Sequence, residues 1–394
     1  MENMPVQPPA SSLAAPRQSE GGLHPQRILI RGVNWLGDAV MTTPALLRLR
    51  EKFPAAHVAL LCPEKLRDLW LFHPAINEVI TFGQGDRTIN VANKLRAGGF
   101  ELALVLPNSP RSALEVFFAR IPHRIGLARP WRNCFLTQAV KPRAEAVNMR
   151  KRTAAEIKKL VAADVSRSRT SVSRALTTAS SAHQSHEYLH LAAALGANPE
   201  PLAPQLFVAP EEVEAAAKKF GLENLSGPIL GMNPGAEYGP AKRWPVERFI
   251  AAAQEIQKRT NCVWLLFGGT GDAAITGQIA ASLRASRVAF HALAGQTTLR
   301  ELMALLKLCR VLLTNDSGPM HVAAALGTPV VVPFGSTSPE LTGPGLPGDP
   351  RHRLLKSDAP CSPCFLRECP IDFRCMQGIG VERAAAAVGE ALKR

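Results

Sequence analysis

Short β-favouring runs alternate with helical stretches along most of this chain, and that alternation narrows its fold more than any other feature. In the first half the expected strands are Arg27-Ile28-Leu29-Ile30, His57-Val58-Ala59-Leu60-Leu61, Glu78-Val79-Ile80-Thr81 and Leu102-Ala103-Leu104-Val105-Leu106. Helical segments near 38–52, 64–71, 88–97 and 111–120 separate them, which lets the chain cross over and re-enter the sheet in the same direction. Pro199, Pro201 and Pro204 mark a linker. Strands near 228–233, 262–267, 288–292, 310–314 and 329–333 then repeat the pattern. The expected fold class is α/β: two Rossmann-like domains whose parallel sheets face each other across a cleft.

Domain limits follow from composition. Residues 1–24, rich in Pro, Ser, Ala and Gln, read as a disordered extension with no apolar block of a signal peptide. Residues 25–205 form the first domain, with a Ser/Thr/Ala-rich flexible insertion at about 161–186. Residues 206–380 form the second, and a closing helix at 381–394 is expected to pack back on the first. No apolar run reaches the ~18 residues of a membrane-spanning helix, so the expected location is the cytosol. There, eight cysteines are more readily thiols or metal ligands than disulfides.

The net charge of +14 is unevenly spread. Residues 1–205 hold 26 Lys/Arg against 15 Asp/Glu, a surplus of +11, while the remainder holds 20 against 17. Arg111, Arg120 and Arg124 open a stretch to Arg152 with ten basic and two acidic residues. Nucleic acid, an anionic membrane face, a phosphorylated glycolipid and a merely solvated basic surface all fit this surplus. Two tyrosines and no RNA-binding aromatic signature argue against nucleic acid.

Five segments carry candidate chemistry. Asn315-Asp316-Ser317-Gly318-Pro319-Met320-His321 lies between the apolar run Val311-Leu312-Leu313 and a helical segment. Such a turn aims unpaired N–H groups at an anion such as a phosphate. Lys242 and Arg243 follow the loop Asn233-Pro234-Gly235-Ala236 and are either exposed charges or a clamp for a pyrophosphate. Asp272, in Gly268-Gly269-Thr270-Gly271-Asp272, either caps a helix or accepts hydrogen bonds from a ribose. Asp38 opens a helix after the first strand. It either complements the helix dipole or takes a proton from an attacking hydroxyl. The same turn lacks G-x-G-x-x-G spacing, so a nicotinamide or flavin cofactor is not supported. For Cys361, Cys364, Cys369 and Cys375, structural zinc, redox-active thiols and plain packing stay open, because the later spacings are not those of a zinc ribbon.

Taken in order, Asn34-Trp35-Leu36-Gly37-Asp38-Ala39-Val40-Met41, Asn233-Pro234-Gly235-Ala236 through Lys242-Arg243-Trp244-Pro245, and Asn315 through His321 resemble the glycosyltransferase family 9 heptosyltransferases. Gly335-Ser336-Thr337-Ser338-Pro339 and the cysteine-rich tail are similar to family members too, and the likeness runs from about 27 to 390. The resemblance implies a GT-B fold with an acceptor domain first and an ADP-heptose domain second. It implies a single inverting displacement that adds heptose to the heptose of a Kdo-lipid A inner core. Asp38 would then be general base and Lys242 would neutralise the ADP phosphates. Asp316, Ser317, Gly318 and His321 would contact phosphates and heptose. No cofactor or catalytic metal is implied, and the anionic acceptor at the cytoplasmic face of the inner membrane would meet Arg111, Arg120 and Arg124. Transfer to a different acceptor, by a heptosyltransferase I or III type or another family 9 enzyme, stays open, as does a non-catalytic nucleotide-binding scaffold.

Overall fold

The computed structural model describes residues 23–165 and 182–393, so the expected extension and most of the 161–186 insertion lie outside the described residues. The first sheet comprises β1 (Arg27–Arg31), β2 (His57–Pro63), β3 (Glu78–Phe82), β4 (Leu102–Val105), β5 (His123–Leu127) and β6 (Gln138–Val140). The second comprises β7 (Ile229–Asn233), β8 (Val263–Leu266), β9 (Phe290–Ala292), β10 (Val311–Thr314), β11 (Val330–Phe334) and β12 (Arg353–Lys356). Every pairing is parallel, in the orders β3-β2-β1-β4-β5-β6 and β12-β11-β10-β7-β8-β9. Read from its first strand, the second sheet repeats the order of the first. Each chain path reverses beside its own first strand, which opens a crevice at β1/β4 and another at β7/β10.

Three strands carry little of the apolar signal that marks the others. β5 opens His123-Arg124, β6 has three residues, and β12 is an edge strand bounded by Arg353 and Lys356. Central strands β1, β4, β7 and β10 are by contrast almost wholly buried, as parallel strands covered on both faces must be.

The helix Leu36–Lys52 links the two halves. Pro44 inside it has no N–H for the carbonyl of Val40, and the Thr43 hydroxyl donates to that carbonyl instead at 2.8 Å. The same hydroxyl accepts from the Gln205 N–H of the linker, whose next residue, Leu206, donates to Ala325 O in the second domain. This helix packs against Ser185–Ala193 on one side and Gly318–Ala325 on the other. Val40 and Met41 thus share one apolar core with Met320 and Val322.

The closing helix, Val381–Leu392, corrects an expectation. It covers the second sheet, against the helix Val246–Thr260 and strands β10, β11 and β12, and among the described residues this packing is all on the second domain's side. Ile379 is already buried in the second domain's core with Trp244 and Ile256, so the one residue before the helix, Gly380, leaves no chain to cross over. Ala384, Ala385 and Val388 then continue that core.

Candidate active site

Both crevices open on one cavity of about 850 Å³ between the domains. From the first domain come Trp35, Leu36, Gly37 and Asp38; from the second come the loops after β7, β8 and β10.

The first turn is held from below by a buried ion pair. Arg31, the last residue of β1, meets Glu115 at 2.7 Å with both side chains almost fully buried, and it also donates to Asn34 Oδ1 at 3.1 Å. That network fixes the β1 exit so that Asp38 enters the cleft in the first turn of its helix. Burial raises the Asp38 carboxyl to about 6, with Lys242 pulling it down and Asp316 pushing it up. The three charges therefore sense one another across the domain boundary. Tyr188 stands behind Asp38, its phenol held neutral by burial and by the Asp38 charge.

The second domain supplies the opposite wall. Asn233 Nδ2, at the end of β7, donates to Thr314 Oγ1 at 3.3 Å and Ser317 Oγ at 3.2 Å, locking the β10 turn to its neighbour. Asn315 grips the β7 loop with an Nδ2 bond to Pro234 O at 2.7 Å and accepts from the Trp244 N–H at 2.9 Å. Asp316, 3% exposed, pairs with Lys242 at 2.6 Å and accepts from the Thr337 hydroxyl at 2.5 Å. Gly318 is required by contact: a Cβ there would lie 2.9 Å from Leu36 Cδ2 of the other domain. A Cβ on Gly37 would likewise meet His321 Cδ2 at 2.7 Å. His321 is buried, and that burial lowers its imidazole to about 4, so near pH 7 it offers hydrogen bonds and not a positive charge.

Asp38, Lys242, Arg243, Asp272, Asp316, Ser317, Gly318 and His321 all line the cavity. Besides the Lys242–Asp316 pair, Asp272 and Arg243 are partly engaged. Asp272 Oδ2 accepts from the Gly269 N–H at 3.0 Å and lies against Gly235, where a Cβ would collide with it. Arg243 turns one Nη to Ala236 O at 3.3 Å.

Arg111, Arg120 and Arg124 are not among the residues that line the cavity. Arg111 pairs with the second oxygen of Glu115 and with Asp86 O, and Arg124 donates to Phe135 O and Ile121 O over the Phe117 ring. Arg120 sits beyond its helix with φ 61°. Among the described residues of this half, the basic residue that does reach the cavity is Lys151. Position along the chain carries no sign of which of ten cations faces inward.

The four cysteines have free thiols: Cys361, Cys364 and Cys375 are buried and Cys369 is half-buried. Cys361 and Cys364 pack on Ile157, and Cys369 Sγ accepts from the Phe373 N–H at 3.3 Å. Burial and the neighbouring thiols push Cys375 up to about 12. Among the described residues no three His, Cys, Asp or Glu side chains are grouped to hold a metal ion.

Residues 88–373 match the family described as glycosyltransferase family 9 (heptosyltransferase). The chain belongs to glycosyltransferase family 9. It is 32% identical over 326 residues to lipopolysaccharide heptosyltransferase 2 of Salmonella typhimurium, covering 81% of this chain and 85% of that protein. With the Escherichia coli enzyme of the same name it is 33% identical over 332 residues, with the same coverage. The structure of E. coli ADP-heptose LPS heptosyltransferase II superposes with a TM-score of 0.71 at 27% identity, covering 93% of this chain and 98% of that one. Two facing parallel sheets are thus the GT-B arrangement of this family, and the protein is a glycosyltransferase.

Proposed function

We propose that this family 9 enzyme moves L-glycero-D-manno-heptose from ADP-heptose to the first heptose of a Kdo-lipid A inner core, by one inverting displacement with Asp38 as general base. The observation that carries the reading is the Asp38 carboxyl. It lies in the first helical turn of one domain, in the same cavity as the Lys242–Asp316 pair of the other, and burial holds it at about 6.

The chemistry follows from that placement. A carboxylate with its affinity for protons raised toward neutrality is ionised in the cell, yet takes a proton from a hydroxyl more readily than an ordinary aspartate. An acceptor hydroxyl held against Asp38 attacks the anomeric carbon; the glycosidic bond forms as the bond to the diphosphate breaks. The proton passes to Asp38 and the electron pair to the departing ADP. Lys242 and the N–H groups at the start of Gly318–Ala325, on the same cavity, offset that negative charge in this reading. Asp316, braced by Thr337, accepts hydrogen bonds from sugar hydroxyls, and His321 adds a neutral contact. Asp272 and the glycine loops after β7 and β8 take the nucleoside. None of these roles needs a metal ion or cofactor.

The anionic acceptor fits the basic surplus of the first domain, and peripheral contact with the cytoplasmic face of the inner membrane brings enzyme and lipid together. Lys151, which lines the cavity, meets the acceptor in this reading, with Arg111, Arg120 and Arg124 toward the surrounding surface. No helix among the described residues is long and apolar enough to cross a membrane.

The test is to incubate the protein with ADP-heptose and acceptors ending either in Kdo or in the first heptose, and to weigh the products. A mass gain of one heptose on the heptose-terminated acceptor alone is expected. Gain only on the Kdo-terminated acceptor would reassign the acceptor, and no gain on either would leave a nucleotide-binding scaffold.

A further inference from the structure

We propose that Arg367, carried by the cysteine-rich segment, is a second donor-binding cation for the diphosphate, acting with Lys242 on either side of contacts to Tyr238; the inference rests on the nucleotide-sugar reading above. Among the described residues the cavity is lined by four cations: Lys151, Lys242, Arg243 and Arg367. Lys242 is already matched by Asp316 at 2.6 Å, and Arg243 is drawn back to a backbone carbonyl. A diphosphate that brought two or more negative charges would share Lys242 with Asp316 and so would draw on a further cation of the cavity wall. Arg367 forms no ion pair within 4.0 Å among the described residues. Its guanidinium carbon lies 5.2 Å from the centroid of the Tyr238 ring, and Lys242 Nζ lies 5.0 Å from the same centroid. One aromatic ring thus gathers two cations at the cavity wall, and an arginine fork is the better shaped of the two for phosphate oxygens.

The segment that bears Arg367 is fastened to the donor loops, not merely laid beside them. Tyr238 donates its hydroxyl to Phe365 O at 2.8 Å, and the Ala241 N–H donates to Arg367 O at 2.9 Å. Gly239 has φ 151°, and a Cβ there would come within 2.5 Å of Arg367 O, so only glycine lets the two backbones meet. Behind, Cys364 and Phe365 donate backbone N–H groups to Ser336 O, and Ser362 donates to Gly335 O, which anchors the segment at the exit of β11. Buried Cys361 and Cys364 pack it onto Ile157 of the first domain. The cysteine-rich stretch thereby holds an arginine against the donor's leaving group.

The experiment titrates the full-length protein with ADP and with adenosine, as wild type and as Arg367→Ala, Arg367→Gln and Arg367→Lys. ADP affinity is expected to fall at least about tenfold in the Ala and Gln variants, with adenosine affinity unchanged and partial recovery in the Lys variant. ADP affinity equal to wild type in a variant that also keeps wild-type adenosine affinity overturns the inference. Equal losses for ADP and adenosine in both neutral variants also overturn it, because they assign Arg367 a structural role only. If the wild type itself binds no ADP, the nucleotide-sugar reading fails and this inference with it.

Discussion

Asp38 is the residue on which chemistry and stability meet. Its carboxyl is raised from 3.8 to about 6 because burial penalises the charge more than Lys242 rewards it. A base of that kind must be deprotonated to act, so kcat/KM is expected to rise with pH through a limb near pH 6 and to level off above it. A limb near 4 would show that Asp38 titrates as an ordinary carboxylate. The stability effect runs the other way. Below 3.8 the group is protonated whether folded or unfolded and contributes nothing. Between 3.8 and about 6 the folded state keeps a proton that the unfolded chain has lost, so this contribution declines as pH rises, and above 6 the buried charge costs the fold in full. Asp38→Asn is therefore expected to raise Tm by a few degrees at pH 8 and to leave it nearly unchanged near pH 4, as read by thermal unfolding at both pH values.

At the scale of elements, the turn after β1 depends on an ion pair far from substrate. Arg31 and Glu115 are both buried, and Arg111 holds the other Glu115 oxygen, so removing the carboxylate strands two guanidinium groups, one of them without water. Glu115→Ala is expected to lose about 3–5 kcal/mol of stability in denaturant titration; a loss below about 1 kcal/mol would show that the pair does not organise the turn. This pair also shows what sequence reading reaches and what it misses. The strands and the loops with Asp38, Lys242 and Asp316 are legible because apolar periodicity and glycine-rich turns are local signals. Glu115 and Arg31 lie 84 positions apart, and only the β1–β4 pairing with the helix after β4 brings them together. The roles of Thr337 and Arg367 are not legible for the same reason: each lines the cavity beside a partner, Asp316 or Tyr238, that follows a different strand of the second sheet. β12 and the docking of the closing helix elude such reading because edge strands and alanine-rich helices carry weak directional signals of their own.

At the scale of the whole molecule, the site exists only when both domains are in register. Gly37 against His321 and Gly318 against Leu36 are the contacts that let the two crevices meet, and each leaves no room for a methyl group. Gly37→Ala is expected to cut kcat/KM at least about tenfold and to lower Tm by a few degrees, because one added Cβ at the boundary pushes apart two helices that share one core and misplaces the site they build. Wild-type turnover in that variant would mean that the boundary adapts freely and that its close fit is incidental. The most direct test of the account is a paired measurement on Asp38→Asn: affinity for ADP-heptose, and single-turnover transfer to a heptose-terminated acceptor. Donor affinity within about threefold of wild type and transfer slower by roughly 10²–10⁴ are expected. A variant that binds the donor and transfers heptose at the wild-type rate would contradict it.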